Sequence, residues 1–115
     1  MKIYQGRRLE PEKDTGSDVE VTVNGKPLKH RIYHSPTGFN WGYMGSGPAD
    51  LARSILWDYL GKEPSRPLYM DFKVHFVSGW KDEWKFSSKR IKQWLEERNG
   101  WRKEMKLCGL EESQT

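Results

Sequence analysis

The three small residues Gly45-Ser46-Gly47, directly before an amphipathic segment, are the feature of this sequence best suited to ligand chemistry. Backbone N–H groups at the start of a helix attract a phosphate or a carboxylate. Two aromatic residues just upstream, Trp41 and Tyr43, could stack on a base. Together these residues predict an anion or nucleotide site at the start of the first helix.

The same loop differs from known phosphate-binding loops in two respects. A P-loop ends in Gly-Lys followed by Ser or Thr, and here that ending and any nearby lysine are missing. Asp50 follows in the first helical turn, where its carboxylate would repel an anion. The alternative is a tight turn whose glycines serve the backbone conformation and whose aromatic rings pack beneath the helix.

The three histidines could be metal ligands, because imidazole nitrogen binds zinc. His30 and His34 are four residues apart, a spacing that suits two ligands on a helix but spans about 13 Å on a strand. We expect them at a strand and its turn, far from His75 and from Cys108, the single cysteine of the chain. The sequence therefore predicts neither a metal site nor a cofactor.

A row of polar residues, Asp71 and His75 with Tyr69 and Lys73, alternates with apolar residues and predicts one face of a strand. A carboxylate beside an imidazole could perform acid–base chemistry. Such a row is more often the solvent face of a sheet, and no nucleophile with a neighbouring base can be identified. The sequence thus supplies no catalytic residue and favours a non-enzymatic protein.

Between Lys81 and Lys106, basic residues outnumber acidic ones and tryptophans are interleaved with them. Cationic and aromatic side chains in alternation can follow a single-stranded nucleic acid. The nucleic-acid contacts would come from Lys85, Lys89, Arg90 and Lys92. The alternative is the solvated face of a mixed-charge helix, since acidic residues are spread through the same segment.

Trp57 lies with Arg53 on the side of the first predicted helix that is opposite its apolar stripe. Both residue types are enriched in the hot spots of protein interfaces, so this pair could anchor a partner. Alternatively, Trp57 packs against a loop that covers this side of the helix, or it lies over the edge of the sheet. The complete set of candidate ligand or partner residues is Trp41, Tyr43, Gly45, Ser46, Gly47, Asp50, Arg53 and Trp57.

The spacing of apolar residues predicts the elements that would position these groups. Residues 2–4 predict a short strand, and residues 19–23 and 28–33 predict a hairpin closed by Asn24-Gly25. Apolar residues at spacings of three and four predict a helix over residues 48–60, capped by Ser46 or Gly47 and ended by Gly61.

Residues 68–77 alternate so regularly that they predict the longest strand. A short extended piece at residues 84–86 precedes a second helix that Asn99-Gly100 would end. This order predicts an α+β fold, a small and mainly antiparallel sheet with two helices packed on one face. We expect one domain over residues 1–106 and a frayed tail over residues 107–115.

The loop and first helix carry the string Phe39-x-Trp41-Gly42-Tyr43-x-Gly45-Ser46-Gly47-Pro48-Ala49-x-Leu51-Ala52-x-x-Ile55-Leu56. It resembles a family of small uncharacterised proteins of bacteria, plasmids and phages, and the resemblance extends more loosely to about Gly100. It implies a fold and a mobile-element setting, but no activity. The family more often has Gln at Asp50 and apolar residues at Arg53 and Ser54, so ligand preference could differ here.

Length, composition and net charge limit the size of the core, the kind of partner and the location of the protein. At 115 residues the chain has room for one core, in which aromatic residues (13% of the chain) compensate for a low apolar content of 35%. A net charge of +4 on a well-mixed surface permits an acidic partner without requiring one. No apolar run suits a membrane span or a signal peptide, and a single cysteine fits a reducing compartment, so we expect a cytoplasmic protein.

Two hypotheses about function remain open. The first is a non-enzymatic interaction module whose partner is a protein or a nucleic acid. The alternative is a small-ligand or nucleotide-binding protein, enzymatic or not, that uses Gly45-Ser46-Gly47 as an anion cradle. We favour the first, because no catalytic set is evident and a chain of this length leaves little room for a deep pocket.

Overall fold

The computed structural model describes residues 1–9, 19–35 and 38–107, with side chains up to residue 99. In these residues the chain forms four strands, three α-helices and one short 3-10 turn. In chain order they are β1 (Ile3–Arg8), β2 (Val19–Val23), β3 (Lys26–Pro27), α1 (Ser46–Leu60), α2 (Arg66–His75), the 3-10 turn (Val77–Gly79), β4 (Glu83–Ser87) and α3 (Ser88–Leu107).

The four strands form one antiparallel sheet in the order β3-β2-β1-β4. The first strand is therefore central: Gly6 pairs with Val21 on one side and with Trp84 on the other. The α+β fold class with a mainly antiparallel sheet is confirmed, although three helices are present instead of two.

Alternate residues of the sheet are buried against the helices. Tyr4, Val21 and Trp84 belong to the core, together with residues from all three helices. The intervening residues Gln5 and Lys85 are exposed. One face of the sheet thus forms the floor of the core, and the other is open to water.

The hairpin is confirmed at its turn but not in its second strand. Asn24 and Gly25 have φ values of 50° and 83°, the left-handed conformations that a two-residue type I′ turn needs. Only Lys26–Pro27 then pairs with β2, so the strand predicted over residues 28–33 is wrong. The chain leaves the sheet there because side chains of α1, described below, hydrogen-bond the backbone of residues 31–35.

Helix α1 has the predicted apolar stripe and the predicted end. Leu51, Ile55 and Leu56 are fully buried, and Gly61 ends the helix with a φ of 75° and an N–H bonded to the Trp57 carbonyl at 2.8 Å. The predicted cap, Ser46 or Gly47, is one or two residues late, because the N-cap is Gly45, with an extended backbone and no side-chain cap.

The strand predicted over residues 68–77 is wrong, because this segment is helix α2. The Ser65 hydroxyl caps the helix by accepting a hydrogen bond from the Leu68 N–H, and Pro67 lies in the first turn, where no N–H is needed. Tyr69 and Phe72, three residues apart, are buried in the core. Val74, an apolar member of the alternating pattern, is 51% exposed.

The short extended piece near Trp84 is confirmed as strand β4, which runs directly into α3. The Ser87 hydroxyl accepts a hydrogen bond from the Arg90 N–H at 3.1 Å and so caps the first turn. The predicted end at Asn99-Gly100 is wrong, since α3 continues to Leu107. A glycine inside a helix costs only about 1 kcal/mol, which good helix formers on both sides can offset.

Of the predicted tail 107–115, only the first residue falls within the described part of the chain. In that part, no helix combines the length and the apolar character that crossing a membrane requires.

Candidate functional site

Residues 30–35, which we call the covering segment, lie on the side of α1 opposite its apolar stripe. The carboxylate of Asp50 holds them there and is fully buried. It accepts hydrogen bonds from the backbone N–H groups of Tyr33 at 3.2 Å, His34 at 2.8 Å and Ser35 at 3.0 Å. Asp50, which lies just beyond the first turn of α1, therefore ties three successive backbone N–H groups of the covering segment to that helix.

The imidazole of His30 completes this arrangement, with its Nε2 2.8 Å from Oδ2 of Asp50. Burial by itself would raise the pKa of Asp50, but the hydrogen bonds from His30 and from the three backbone N–H groups lower it below its usual value. Asp50 is thus a buried carboxylate that stays ionised because its lone pairs are occupied by donors.

Arg53 and Ser54 fix the other end of the covering segment. The Ser54 hydroxyl accepts a hydrogen bond from the Arg31 N–H at 2.8 Å, and Arg53 donates to the Arg31 carbonyl at 2.7 Å and to Glu63 at 3.1 Å. Both side chains are buried. The sequence placed Asp50, Arg53 and Ser54 on a polar helix face away from the core. The covering segment therefore buries all three of these residues.

Two arginines and two aromatic rings alternate along this surface. The Arg31 guanidinium lies 4.3 Å from the ring centroid of Trp57. That of Arg53 lies 4.8 Å from the same centroid and 5.1 Å from the Tyr33 ring. We call this row the arginine–aromatic ladder, in the order Arg31, Trp57, Arg53, Tyr33. Trp57 thus packs against the covering segment, as one of the two sequence hypotheses expected.

The outer part of the ladder faces solvent. Tyr33 is 64% exposed, and its neighbour Ile32 is 59% exposed. In the described part of the chain no carboxylate pairs with Arg31, whereas Glu63 pairs with Arg53. The surface therefore presents an uncompensated cation beside two exposed apolar side chains.

A second pair of residues joins the covering segment to α2. Nε2 of His34 lies 2.8 Å from the hydroxyl of Tyr69, and the two rings meet edge to face. Burial lowers the pKa of His34, and burial raises the pKa of Tyr69. Both shifts favour the neutral forms, so the pair links two elements without a charge.

The loop residues that the sequence selected are divided between the core and the surface. Trp41 is fully buried, and its Nε1 donates to the Lys81 carbonyl. Tyr43 is 47% exposed, and its ring lies where a Cβ on Gly45 would be. A Cβ on Gly47 would come within 2.7 Å of the Asn40 Cβ. These glycines make room for neighbouring side chains, and those side chains fill the space beside the predicted anion cradle.

Ser46, the remaining loop residue, is exposed at the first position of α1. The four residues predicted to contact nucleic acid lie on β4 and in the first turns of α3. Lys85 is on the open face of the sheet, and Arg90 lies over the Phe76 ring. Lys89 and Lys92 are exposed on α3.

The polar residues that were predicted to line one face of a strand are arranged differently, because they belong to helix α2. Asp71 and His75 are brought together one helical turn apart, with Nδ1 of His75 3.1 Å from Oδ1 of Asp71. Tyr69 is buried and bonded to His34, away from this pair. Among the described residues no group of three His, Cys, Asp or Glu side chains could hold a metal ion. Cys108 lies outside those residues.

Sequence reasoning missed the covering segment as part of the site. Its contacts with α1 join residues about 20 positions apart, and an exposed polar helix face has the same sequence pattern as a covered one. The available signal was the acidic and hydroxyl residues at Asp50 and Ser54, which can satisfy the backbone of a loop that passes over them.

A family model described as a family of unknown function, DUF6166, matches residues 4–97. The chain belongs to DUF6166. The covering segment and α1 both lie within the part of the chain that the DUF6166 model matches. The comparison with curated proteins and the comparison with solved structures found no match.

Proposed function

We propose that this DUF6166 chain is a non-enzymatic interaction module that binds an acidic segment of a partner protein through the arginine–aromatic ladder. The observation that carries the proposal is Arg31, a cation stacked on Trp57 with no carboxylate partner in the described residues. Exposed Ile32 and Tyr33 flank it. An acidic segment with an apolar side chain would complement both features.

The composition of the ladder supports a protein contact. Trp, Tyr and Arg are the residue types that dominate the energy of protein interfaces, because each offers a large contact area and a polar group. A guanidinium stacked on a ring is already oriented, so little side-chain entropy remains to be lost on binding. The net charge of +4 would also favour the approach of an acidic partner.

The anchoring of the covering segment supports the same function. Asp50 and Arg53 hold its backbone through hydrogen bonds of 2.7 to 3.2 Å. A binding surface that is rigid before the partner arrives avoids the cost of ordering a loop. In this proposal Arg31 and Tyr33 contact the partner, while Asp50 and Arg53 position them.

A protein partner is favoured over a single-stranded nucleic acid by the surroundings of Trp57. Two guanidinium groups lie within 5 Å of its ring centroid, so a base finds little free ring on which to stack. Arg90, one of the four predicted nucleic-acid contacts, has its guanidinium over the Phe76 ring of the same chain.

The setting of the module is part of the proposal. The sequence string around Gly45-Ser46-Gly47 resembles proteins of bacteria, plasmids and phages, which supports a role in a mobile element and a partner in the host. A cytoplasmic location would follow from such a role. Neither point is needed for the binding test below.

The test is selection of displayed random peptides on the immobilised protein, followed by affinity measurement for the selected peptides. We expect peptides with two or more Asp or Glu beside an aromatic or aliphatic residue. Arg31→Glu should weaken their binding by about tenfold or more, since reversing a charge at a complementary contact costs more than 1.4 kcal/mol. Lys92→Glu, the same reversal on exposed α3, should leave binding unchanged.

Three results would contradict the proposal. These are the absence of an acidic preference among selected peptides, equal binding of those peptides by Arg31→Glu, and tighter binding of a 12-nucleotide single-stranded DNA than of the best peptide. The third result would favour a nucleic-acid partner. Raising the salt concentration should also weaken binding to the wild type, because partly exposed charges are screened.

A further inference from the structure

We infer that the groove between α2 and α3 is a second binding site, which takes small organic anions with an apolar body. The groove has a volume of about 750 Å³, within the range of small-molecule sites. Asp71, His75, Phe76, Arg90, Trp94 and Arg98 line it. It involves none of the residues of the arginine–aromatic ladder, so it is independent of the proposed function.

One side of the groove is an arrangement of three charged or titratable groups. Asp71 accepts a hydrogen bond from Nε of Arg98 at 2.9 Å, while Nδ1 of His75 lies 3.0 Å from the main-chain carbonyl of Asp71 and 3.1 Å from the other oxygen of its carboxylate. The carboxylate is therefore already paired with Arg98. No described residue accepts a hydrogen bond from the terminal nitrogens of Arg98, which remain available as donors.

Arg90, which lies on α3 about two turns before Arg98, provides the observation that points to a ligand. Its Nη1 is buried from water and has no hydrogen-bond partner in the described residues. The nearest carboxylate, that of Glu97, is 4.0 Å away, beyond hydrogen-bond distance. The side chain as a whole is 41% exposed, so the unmet donor is this one nitrogen of the guanidinium, and a shielded donor without an acceptor carries a free-energy cost. An anionic oxygen in the groove would remove that cost.

Aromatic rings in the groove indicate which kind of body the anionic ligand should have. Phe76 lies 5.2 Å beneath the Arg90 guanidinium and Trp94 lies 5.9 Å from that of Arg98. Rings below and cations above suit a phosphate or carboxylate attached to a ring or a short aliphatic chain. Glu97 is largely exposed, so its charge is screened by water, and the charge of Asp71 is already paired.

Nuclear magnetic resonance of the 15N-labelled full chain tests the site with four defined probes. These are phenyl phosphate, phenylacetate, inorganic phosphate and the neutral benzyl alcohol. We expect phenyl phosphate or phenylacetate to shift the Nε–H signals of Arg90 and Arg98 and the indole signal of Trp94. A response to phenyl phosphate alone assigns phosphate monoesters, and a response to both assigns organic anions generally.

Arg90→Gln and Arg98→Gln should each weaken binding of the responding probe by about tenfold or more, because a charge-assisted hydrogen bond is lost. Lys92→Gln removes the same charge from the exposed side of α3 and should change affinity less than twofold. An unchanged amide spectrum shows that each variant folds. Two arginine variants are used so that one that fails to fold does not end the test.

The inference is overturned if neither aromatic anion binds at millimolar concentration, or if both glutamine variants bind like the wild type. It is also overturned if inorganic phosphate binds as tightly as phenyl phosphate, or benzyl alcohol as tightly as either anion. The same variants should retain the acidic peptides selected for the ladder. Each proposal can therefore fail without the other.

Discussion

His30 and Asp50 lie on different segments, and the 2.8 Å between Nε2 of His30 and Oδ2 of Asp50 joins the start of the covering segment to the N-terminal half of α1. The carboxylate also receives three backbone N–H groups. Water has thus been replaced by four protein donors around one buried charge. Asp50 stabilises the fold here, whereas the sequence suggested it as a possible obstacle to an anion.

Asp50→Asn should lower the free energy of unfolding by about 3 kcal/mol. The amide keeps the size of the side chain but loses its charge, and its NH₂ group meets donors where an acceptor was. Chemical denaturation measures the loss. Glu20→Gln, which removes an exposed ion pair with Arg7, should cost less than about 1 kcal/mol. Equal losses in the two variants would contradict the role of Asp50.

The stability that Asp50 provides should depend on pH. Its pKa is lower in the folded chain than in the unfolded one, where it is about 3.9, so the unfolded state takes up protons first on acidification. The contribution is fully present above the unfolded pKa and is lost as the pH falls through the folded pKa. The stability difference between wild type and Asp50→Asn should therefore shrink in acid. A constant difference from pH 7 to pH 2 would refute this.

His34 should titrate below the usual range for histidine. Burial lowers its pKa, so protons bind the unfolded chain first and stability should fall as the pH drops below about 6.5. A nuclear magnetic resonance titration of the ring protons reports the pKa directly. His34→Gln should remove this part of the slope. A measured pKa at or above 6.5 would show that the contact with Tyr69 does not desolvate the ring.

Arg53 should contribute more to the free energy of unfolding than Arg31 does. Arg53→Met leaves the Arg31 carbonyl without its donor and should cost about 1–3 kcal/mol. Arg31→Met removes only a stacked, partly exposed cation and should cost less than about 1 kcal/mol. Thermal and chemical unfolding of both variants tests this order. The reverse order would make Arg31 the positioning residue and undermine the proposed contact surface.

Gly6→Ala should destabilise the sheet, because a Cβ at this position would come within 2.6 Å of the Trp84 indole. That ring is stacked on Trp80 at 4.0 Å and meets Trp41 edge to face at 5.7 Å, so moving it aside would disturb both contacts. Overpacking of this kind costs about 1–3 kcal/mol. Gly79→Ala, where a Cβ meets open space, should be nearly neutral in the same denaturation assay.

The features that follow from local chemistry were predictable. The hairpin turn needs two residues in the left-handed conformation, and the end of α1 needs one. Asn24-Gly25 and Gly61 suit these positions, so the residue types alone identify both. The apolar stripe of α1 was likewise evident because its period belongs to a helix only. Within the candidate site, the same helical period correctly predicted that Trp57 lies beside Arg53.

Helix α2 was missed because its pattern has two periods at once. Leu68, Phe72 and Phe76 are four residues apart, and residues at this spacing share one face in a helix and also in a strand. The decisive signals were Ser65 and Pro67, a cap followed by a residue suited to the first turn. The covering segment was missed for a different reason: its bonds to α1 are long-range and leave no period.

The central position of β1 has a consequence for synthesis. Gly6 needs Trp84 as its second neighbour, about 80 residues later, and ribosomes add about 5–20 residues per second. One edge of the first strand therefore waits several seconds for its partner while β2 already occupies the other. In that interval the nascent chain displays an unpaired strand edge, the kind of surface that chaperones protect and that neighbouring copies can capture.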